Sequence, residues 1–461
     1  MIPQLFLEKM KALMGGEFDA FCESLSAERV QGLRVNTLKG SAERLSRCLP
    51  VSLRPVPWCG TGFYFDSQDR PGKHPLHEAG AYYIQEPSAM AAAELSGAGP
   101  GERILDLCAA PGGKSTHLAC LTGDDGLLVC NEIVPDRALT LARNVERMGI
   151  RSAVVTNASP QQLAERFPGF FDRILVDAPC SGEGMFRKNE LAGGEWSPAA
   201  VEMCAARQAD ILDCACSMLR PGGTLLYSTC TFSPEENERN VAALLGRRSE
   251  LQLEELPDRP GFSRGRPEWA DGDSRLRSTV RLFPHIAGGE GHFLAKIKSV
   301  SEEAAPSRPF WGSGKPSRAR SGQAELSEAR RAWEGFRAET LRMDPKGQPI
   351  LFGERLFLVP EAMPPLDGLR VIRPGLELGS LKKGRFEPAH ALAMALRPEE
   401  CLDPFALDEA SAERYLRGET LEAGSIGRGW RPVQLAGYSL GWCKQVDDTL
   451  KNHCPKGLRR G

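Results

Sequence analysis

Between residues 103 and 228 short apolar runs alternate with longer stretches of helical period, and no other feature limits the possible folds so tightly. The runs lie at 103–107, 126–130, 152–156, 172–176 and 224–228. Helical patterns begin at Lys114 and cover 134–148, 160–167 and 198–219. Runs of this kind need cover on both faces, and a helix between successive strands supplies it. The pattern predicts an α/β fold with a parallel sheet. Gly222 and Gly223, after the last helix, return the chain to a strand.

A chain of 461 residues exceeds what one core usually supports, so further domains should flank this unit, which is taken as residues 91–299. Residues 1–90 combine helical patterns at 4–14 and 17–26 with a strand-like piece at 33–38, an N-terminal α+β region. Residues 300–323 are rich in Ser, Pro, Arg and Gly without periodicity and read as a linker. A helix near 325–340, β-type segments near 350–358 and 370–372 and mixed short elements then predict a small separate C-terminal domain over 324–461.

The formal net charge is −2, so any nucleic-acid partner must meet basic residues gathered locally. Fourteen cysteines would suit disulfides or metal, yet no C-x-x-C pair occurs. The first sixteen residues carry Glu8, Lys9 and Lys11 and lack a secretory hydrophobic region, and no apolar run is long enough for a bilayer. The expectation is reduced thiols in a cytoplasmic monomer with no membrane partner. His74 and His77 have no second ligand pair nearby and His117 lies on a helix, so no metal is expected.

The segment Ile104 to Thr116 reads as strand, small-residue loop, helix start, the place where open α/β sheets hold cofactors. Gly113-Lys114-Ser115 copies the end of a phosphate-binding P-loop. However, Cys108 stands where that motif needs its first glycine, and Pro111 has no N–H to offer a phosphate. A loop of Cys108, Ala109, Ala110, Pro111, Gly112, Gly113 and Lys114 suits an adenosyl cofactor better. Glu132 ends the next strand, where a carboxylate can accept from ribose hydroxyls.

Two cysteines follow strand ends in the same sheet: Cys180 after Asp177-Ala178-Pro179, and Cys230 after Ser228-Thr229. Asp106, Glu132 and Asp177 occupy equivalent strand-end positions. Any single cysteine is most simply a small core residue. Two of them beside a cofactor loop and a carboxylate have chemistry to do. Carbon 5 of cytosine becomes nucleophilic once a thiolate adds to carbon 6, and a carboxyl group near ring nitrogen 3 stabilises the charge that develops there. A second thiol or base then helps to remove the carbon 5 proton and expel the first thiol. After Cys230, Ser233-Pro234-Glu235-Glu236 reads as a helix N-cap with a capping box, so that acidic pair is assigned to helix start.

With these residues in view the chain resembles the NOL/NOP/Sun family of RNA cytosine-5 methyltransferases, above all its bacterial RsmF-type rRNA branch. The matching segments are Gln85-Glu86-Pro87-Ser88, Asp106 to Lys114, Asn131-Glu132 with Arg137 and Asn144, Asp177 to Gly184, Ser228-Thr229-Cys230 and Gly289-Glu290-Gly291-His292-Phe293. The resemblance implies a Rossmann-like core using S-adenosyl-L-methionine, with Cys230 as nucleophile, Cys180 assisting adduct breakdown and Asp177 touching the cytosine and lying near the cofactor. It also implies that residues 108–114, Glu132 and Arg137 surround the cofactor. Asn157 stands where many members carry an acidic residue against the adenine. Leu381 to Pro388 and Lys451 to Arg459 resemble a PUA-like RNA-binding tail. RNA is the implied partner, ribosomal RNA of the small subunit ahead of tRNA. The rivals are a P-loop nucleotide hydrolase and an RNA-binding protein on an inactive methyltransferase fold.

Overall fold

The computed structural model describes residues 2–188, 190–301, 323–365 and 367–460. The linker reading of 300–323 falls almost wholly outside the described residues.

The alternating region forms a twisted, mostly parallel sheet. Its strands are β1 Arg103–Asp106, β2 Leu127–Asn131, β3 Ala153–Thr156, β4 Phe171–Asp177, β5 Leu219–Thr229, β6 Val280–Leu282 and β7 His292–Ser299. Their order is 3-2-1-4-5-7-6, with β1 to β5 parallel and β7 antiparallel to both neighbours. The order reverses between β1 and β4, which opens a crevice at the carboxyl ends of those strands.

Residue alternation divides the strands between two buried layers. Leu105, Val129, Val154, Ile174, Leu225 and Tyr227 pack with helices Pro160–Arg166 and Pro198–Met218. Ile104, Leu128, Val155, Leu175 and Leu226 pack with Pro87–Ser96, Gly113–Thr122 and Pro135–Arg147. Each strand is buried on both sides, which is why its sequence reads as an unbroken apolar run.

Residues before the core form four α-helices, Gln4–Met14, Phe18–Ser26, Ala42–Cys48 and Pro75–Glu78, and a four-stranded antiparallel sheet. The strand expected at 33–38 runs over Gln31–Val35. The β-type segment expected at 350–358 is a hairpin of Gln348–Phe352 and Arg355–Val359 within a four-stranded sheet. A three-stranded sheet built on Leu421–Leu435 and Tyr438–Asn452 ends the chain. The C-terminal region also enters the core: Val371–Arg373 pairs antiparallel with β3 and extends its sheet. Arg373 is buried there, 3.5 Å from the Glu146 carboxylate. Among the described residues no helix is long and apolar enough to cross a membrane.

Candidate active site

The crevice holds a cavity of about 300 Å³. Cys108, Ala109, Ala110, Pro111, Gly113 and Lys114 line one side, and Asp177 and Cys230 line the other. Gly112 supports the loop from behind. Its φ of +114° lies in the region that glycine adopts freely, and a Cβ there would meet Leu141 Cδ1 at 3.2 Å. Cys108 is half-buried near three carboxylates, and desolvation foremost pushes its thiol far above the usual range. It therefore serves as packing in the loop and not as a second nucleophile.

Glu132, Arg137 and Asn157 lie beside this cavity and do not line it. Glu132 accepts the N–H of Val134 at 2.9 Å and stands 3.5 Å from Arg137, which donates to the Ala110 carbonyl at 2.9 Å. Asn157 spends its amide hydrogens on the carbonyls of Glu132 (2.7 Å) and Ile133 (2.9 Å). Only its side-chain oxygen is left to meet an adenine amino group.

Asp106 has the clearest need for a ligand. Ser115 Oγ donates to Oδ2 at 2.6 Å, while Oδ1 is buried without a partner among the described residues. Burial raises this carboxyl to about 7, against the Ser115 hydrogen bond. Asp106 borders the cavity with that oxygen just beneath its wall, where a cation or a donor would stabilise it, and S-adenosylmethionine carries both an ammonium and a sulfonium. The residues present fit that group. The sequence places Asp106 at a strand end but gives it no role, because only its missing partner reveals one.

Across the cavity Asp177 Oδ2 lies 2.7 Å from Lys114 Nζ, and Ser228 Oγ donates to Oδ1 at 3.1 Å. Burial alone would depress the Lys114 amine; the Asp177 charge outweighs it, and the pKa ends raised. Lysine and aspartate therefore face the cavity as an ion pair.

Cys180 and Cys230 meet with their sulfurs 3.2 Å apart. The contact with Cys230, and then burial, push the Cys180 thiol well above its usual range, so Cys180 holds its proton, and either sulfur can be the donor in the contact. Two buried carboxylates impose this approach. Glu183, in the Cys180 loop, accepts from Phe232 N (2.8 Å), Trp196 Nε1 (2.9 Å) and Ser233 Oγ beyond Cys230. Glu236, beyond Cys230, accepts from Ser181 N (2.9 Å), Ser181 Oγ and Gln208 Nε2 (2.8 Å). Gly184 donates its N–H to the Cys230 carbonyl at 2.9 Å, an approach that leaves no room for a Cβ.

These contacts overturn the capping-box reading of Ser233 and Glu236. The helix starts later, at Glu238, and the chain from Ser233 to Asn237 is a turn that inserts both side chains into the core. A capping box and a loop brace share one sequence pattern, and the brace depends on Ser181, which is distant in sequence. Burial raises Glu236 to about 7, against its hydrogen bonds from Ser181. Like Asp106, it stabilises the fold fully below its ordinary value and gives that up as pH rises through about 7. Glu236→Gln keeps one oxygen for Ser181 N and Gln208 Nε2 but puts an amide against Ser181 Oγ, which must turn to accept and give up its own donation. It should cost about 1–3 kcal/mol in urea unfolding at pH 8; an unchanged midpoint would show that the brace contributes little.

The histidines follow a structural pattern. His74 Nδ1 caps a short helix by accepting the N–H of Leu76. His117 is buried beside Glu94 at 3.3 Å and Cys59 at 3.9 Å, a grouping with metal-ligand character. The positive charge of Arg34 lies close enough to help lower the His117 pKa, after burial, which disfavours a cation there.

A 3-2-1-4-5 parallel sheet closed by an antiparallel hairpin, with a small-residue loop and a cation-seeking carboxylate at its switch point, defines a Rossmann-like methyltransferase. Residues 96–298 match the family model described as 16S rRNA methyltransferase RsmB/F. Residues 2–87 match the N-terminal domain of 16S rRNA methyltransferase RsmF, 335–396 its first C-terminal domain and 403–460 its PUA domain. Ribosomal RNA small subunit methyltransferase F of Erwinia tasmaniensis is 32% identical, covering 99% of this chain and 97% of its own length. The protein of that name in Klebsiella pneumoniae is 34% identical, covering 99% and 96%. A methyltransferase homolog protein from Pyrococcus horikoshii, 29% identical, superposes with a TM-score of 0.58 over 64% of this chain and 95% of that one. The chain belongs to the RsmF family of RNA methyltransferases, whose methyl donor is S-adenosylmethionine.

Proposed function

We propose that the protein methylates carbon 5 of a cytosine in 16S ribosomal RNA through a covalent bond between Cys230 and carbon 6. The observation that carries this reading is the 3.2 Å approach of the two sulfurs at the mouth of the cavity that Asp177 and the small-residue loop also line. A methyl transfer to nitrogen or oxygen would need neither thiol.

When bound, S-adenosylmethionine supplies an electrophilic methyl group. Residues 108–114 would surround it, with Glu132, Arg137 and the side-chain oxygen of Asn157 at the edge of the site, and the Asp106 carboxyl would favour its ammonium. Cys230 adds as thiolate to carbon 6 of the flipped cytosine. The negative charge moves through the ring toward nitrogen 3, where Asp177 contacts the ring and the Lys114 ammonium paired with it supplies the compensating positive charge. Carbon 5, now enamine-like, takes the methyl group. A water molecule in the open cavity takes the carbon 5 proton, the electron pair re-forms the carbon 5–carbon 6 double bond as the carbon 6–sulfur bond breaks, and Cys230 departs as thiolate toward the protonated Cys180. The PUA-type domain and the basic segments 381–388 and 451–459 present the RNA. The enzyme works as a cytoplasmic monomer without a metal ion.

Bisulfite mapping of total RNA from cells with and without the protein tests this. One cytosine of 16S rRNA should lose protection without it; a lost site in tRNA alone would move the substrate, and no lost site would refute the reaction.

The state of Asp106 adds a second expectation. An ammonium beside Oδ1 lowers a carboxyl that starts near 7, so cofactor binding releases a proton. Affinity for S-adenosylmethionine, measured by calorimetry, should weaken about tenfold per pH unit from pH 7 down to 5.5. A flat profile would remove Asp106 from the cofactor site.

A further inference from the structure

His292 begins β7, whose antiparallel register pairs Phe293 with Thr229, so the next step places His292 beside Cys230. Its ring lines the same cavity as Lys114, Asp177 and Cys230. The opposite edge of the ring is tied down: Nδ1 lies 2.9 Å from Ser88 Oγ. Ser88 has one hydroxyl proton and gives it to Glu86 in a short hydrogen bond, while accepting the N–H of Gly291 at 3.3 Å. Its remaining capacity is one lone pair, so the imidazole must donate Nδ1–H to it. A neutral imidazole protonated at Nδ1 carries a bare lone pair at Nε2. Apart from Ser88, the ring's only hydrogen-bond contact among the described residues is the Gly291 backbone, and Nε2 is not among the buried polar atoms left unpartnered, so it opens on the cavity.

Glu86 is itself fixed. It caps the helix Pro87–Ser96 by accepting from Ser88 N (3.0 Å) and Ala89 N (2.9 Å), and it accepts Glu290 N at 3.0 Å. The line Glu86–Ser88–His292 therefore does more than fill space. It fixes which ring nitrogen is an acceptor and aims that nitrogen at the place where the pyrimidine must sit.

We propose that His292 is a specificity residue, its Nε2 accepting a hydrogen bond from the exocyclic 4-amino group of the target cytosine. Uracil presents a carbonyl oxygen at that position, which would set two acceptors against each other and leave the histidine unpaired. Burial, and then the Lys114 charge, lower the imidazole to about 4, so Nε2 remains an acceptor at every pH the enzyme meets. This inference rests on the cytosine-5 reading and names the contact that selects its substrate.

The test uses two RNA oligonucleotides spanning the mapped site, one with cytidine and one with the pyrimidin-2-one ribonucleoside, which lacks only the amino group. Single-turnover methyl transfer is measured for wild type, His292→Phe and His292→Gln. Intrinsic ring reactivity and the fraction of folded enzyme cancel in the ratio of the two rates for each protein. His292→Phe should lower that cytidine-to-analogue ratio about tenfold, the worth of one hydrogen bond to a buried acceptor. His292→Gln, which retains an acceptor, should keep the ratio within about threefold of wild type. Equal losses on both RNAs, or no loss, would overturn the proposal; should the Phe variant be inactive, an altered ratio in the Gln variant would do so. Failure of wild type on the cytidine RNA would instead contradict the cytosine-5 reading.

Discussion

Cys230→Ala should lose methyl transfer by at least about 10⁴-fold in single turnover, a barrier increase of roughly 5.5 kcal/mol. Without addition to carbon 6, carbon 5 is too poor a nucleophile for a methyl sulfonium, and the Lys114–Asp177 pair has no developing charge to stabilise. The substitution removes a single sulfur from a cavity lined by many other groups, so cofactor affinity should stay within about threefold. Tritium transfer from labelled S-adenosylmethionine to 16S rRNA measures the first quantity and calorimetry the second. Turnover at the wild-type rate would refute Cys230 as nucleophile.

Cys180→Ala should fail at the other end of the reaction. In the proposed reaction its thiol is the donor that Cys230 meets on leaving carbon 6, and the Glu183 and Glu236 braces hold the two loops together whether or not the second sulfur is present. Addition and methyl transfer should proceed once, after which the adduct accumulates. Steady-state turnover should fall by about 10³-fold, within the range for loss of a general acid or base. A protein–RNA band stable in denaturing gels should appear with this variant and vanish in the Cys180→Ala/Cys230→Ala double variant. Lost turnover with no such band would assign Cys180 to an earlier step.

The sequence was most legible where one local period decides the structure. β1 to β5 and their helices lie within a few residues of the expected positions, because two-sided burial imposes unbroken apolar runs. The strand-end cysteines and the loop at Gly112 could be read for the same reason, since strand ends converge on one edge of a parallel sheet. What escaped the sequence are pairings between distant residues. Glu236 looks like a helix cap until Ser181 is brought against it, 55 positions away in sequence. The strand Val371–Arg373 gives no sign that it will join β3. The role of His292 depends on a hydroxyl 204 positions earlier, which no local pattern announces.

The most direct measurement replaces the target cytidine with 5-fluorocytidine, whose fluorine cannot leave as the proton does, so the enzyme cannot complete the reaction. After incubation with S-adenosylmethionine and proteolysis, mass spectrometry should find methylated fluorocytidine joined to the peptide that contains Cys230. Attachment to the Cys180 peptide instead, or complete methylation of ordinary RNA with no trapped peptide from the fluorinated one, would contradict the account.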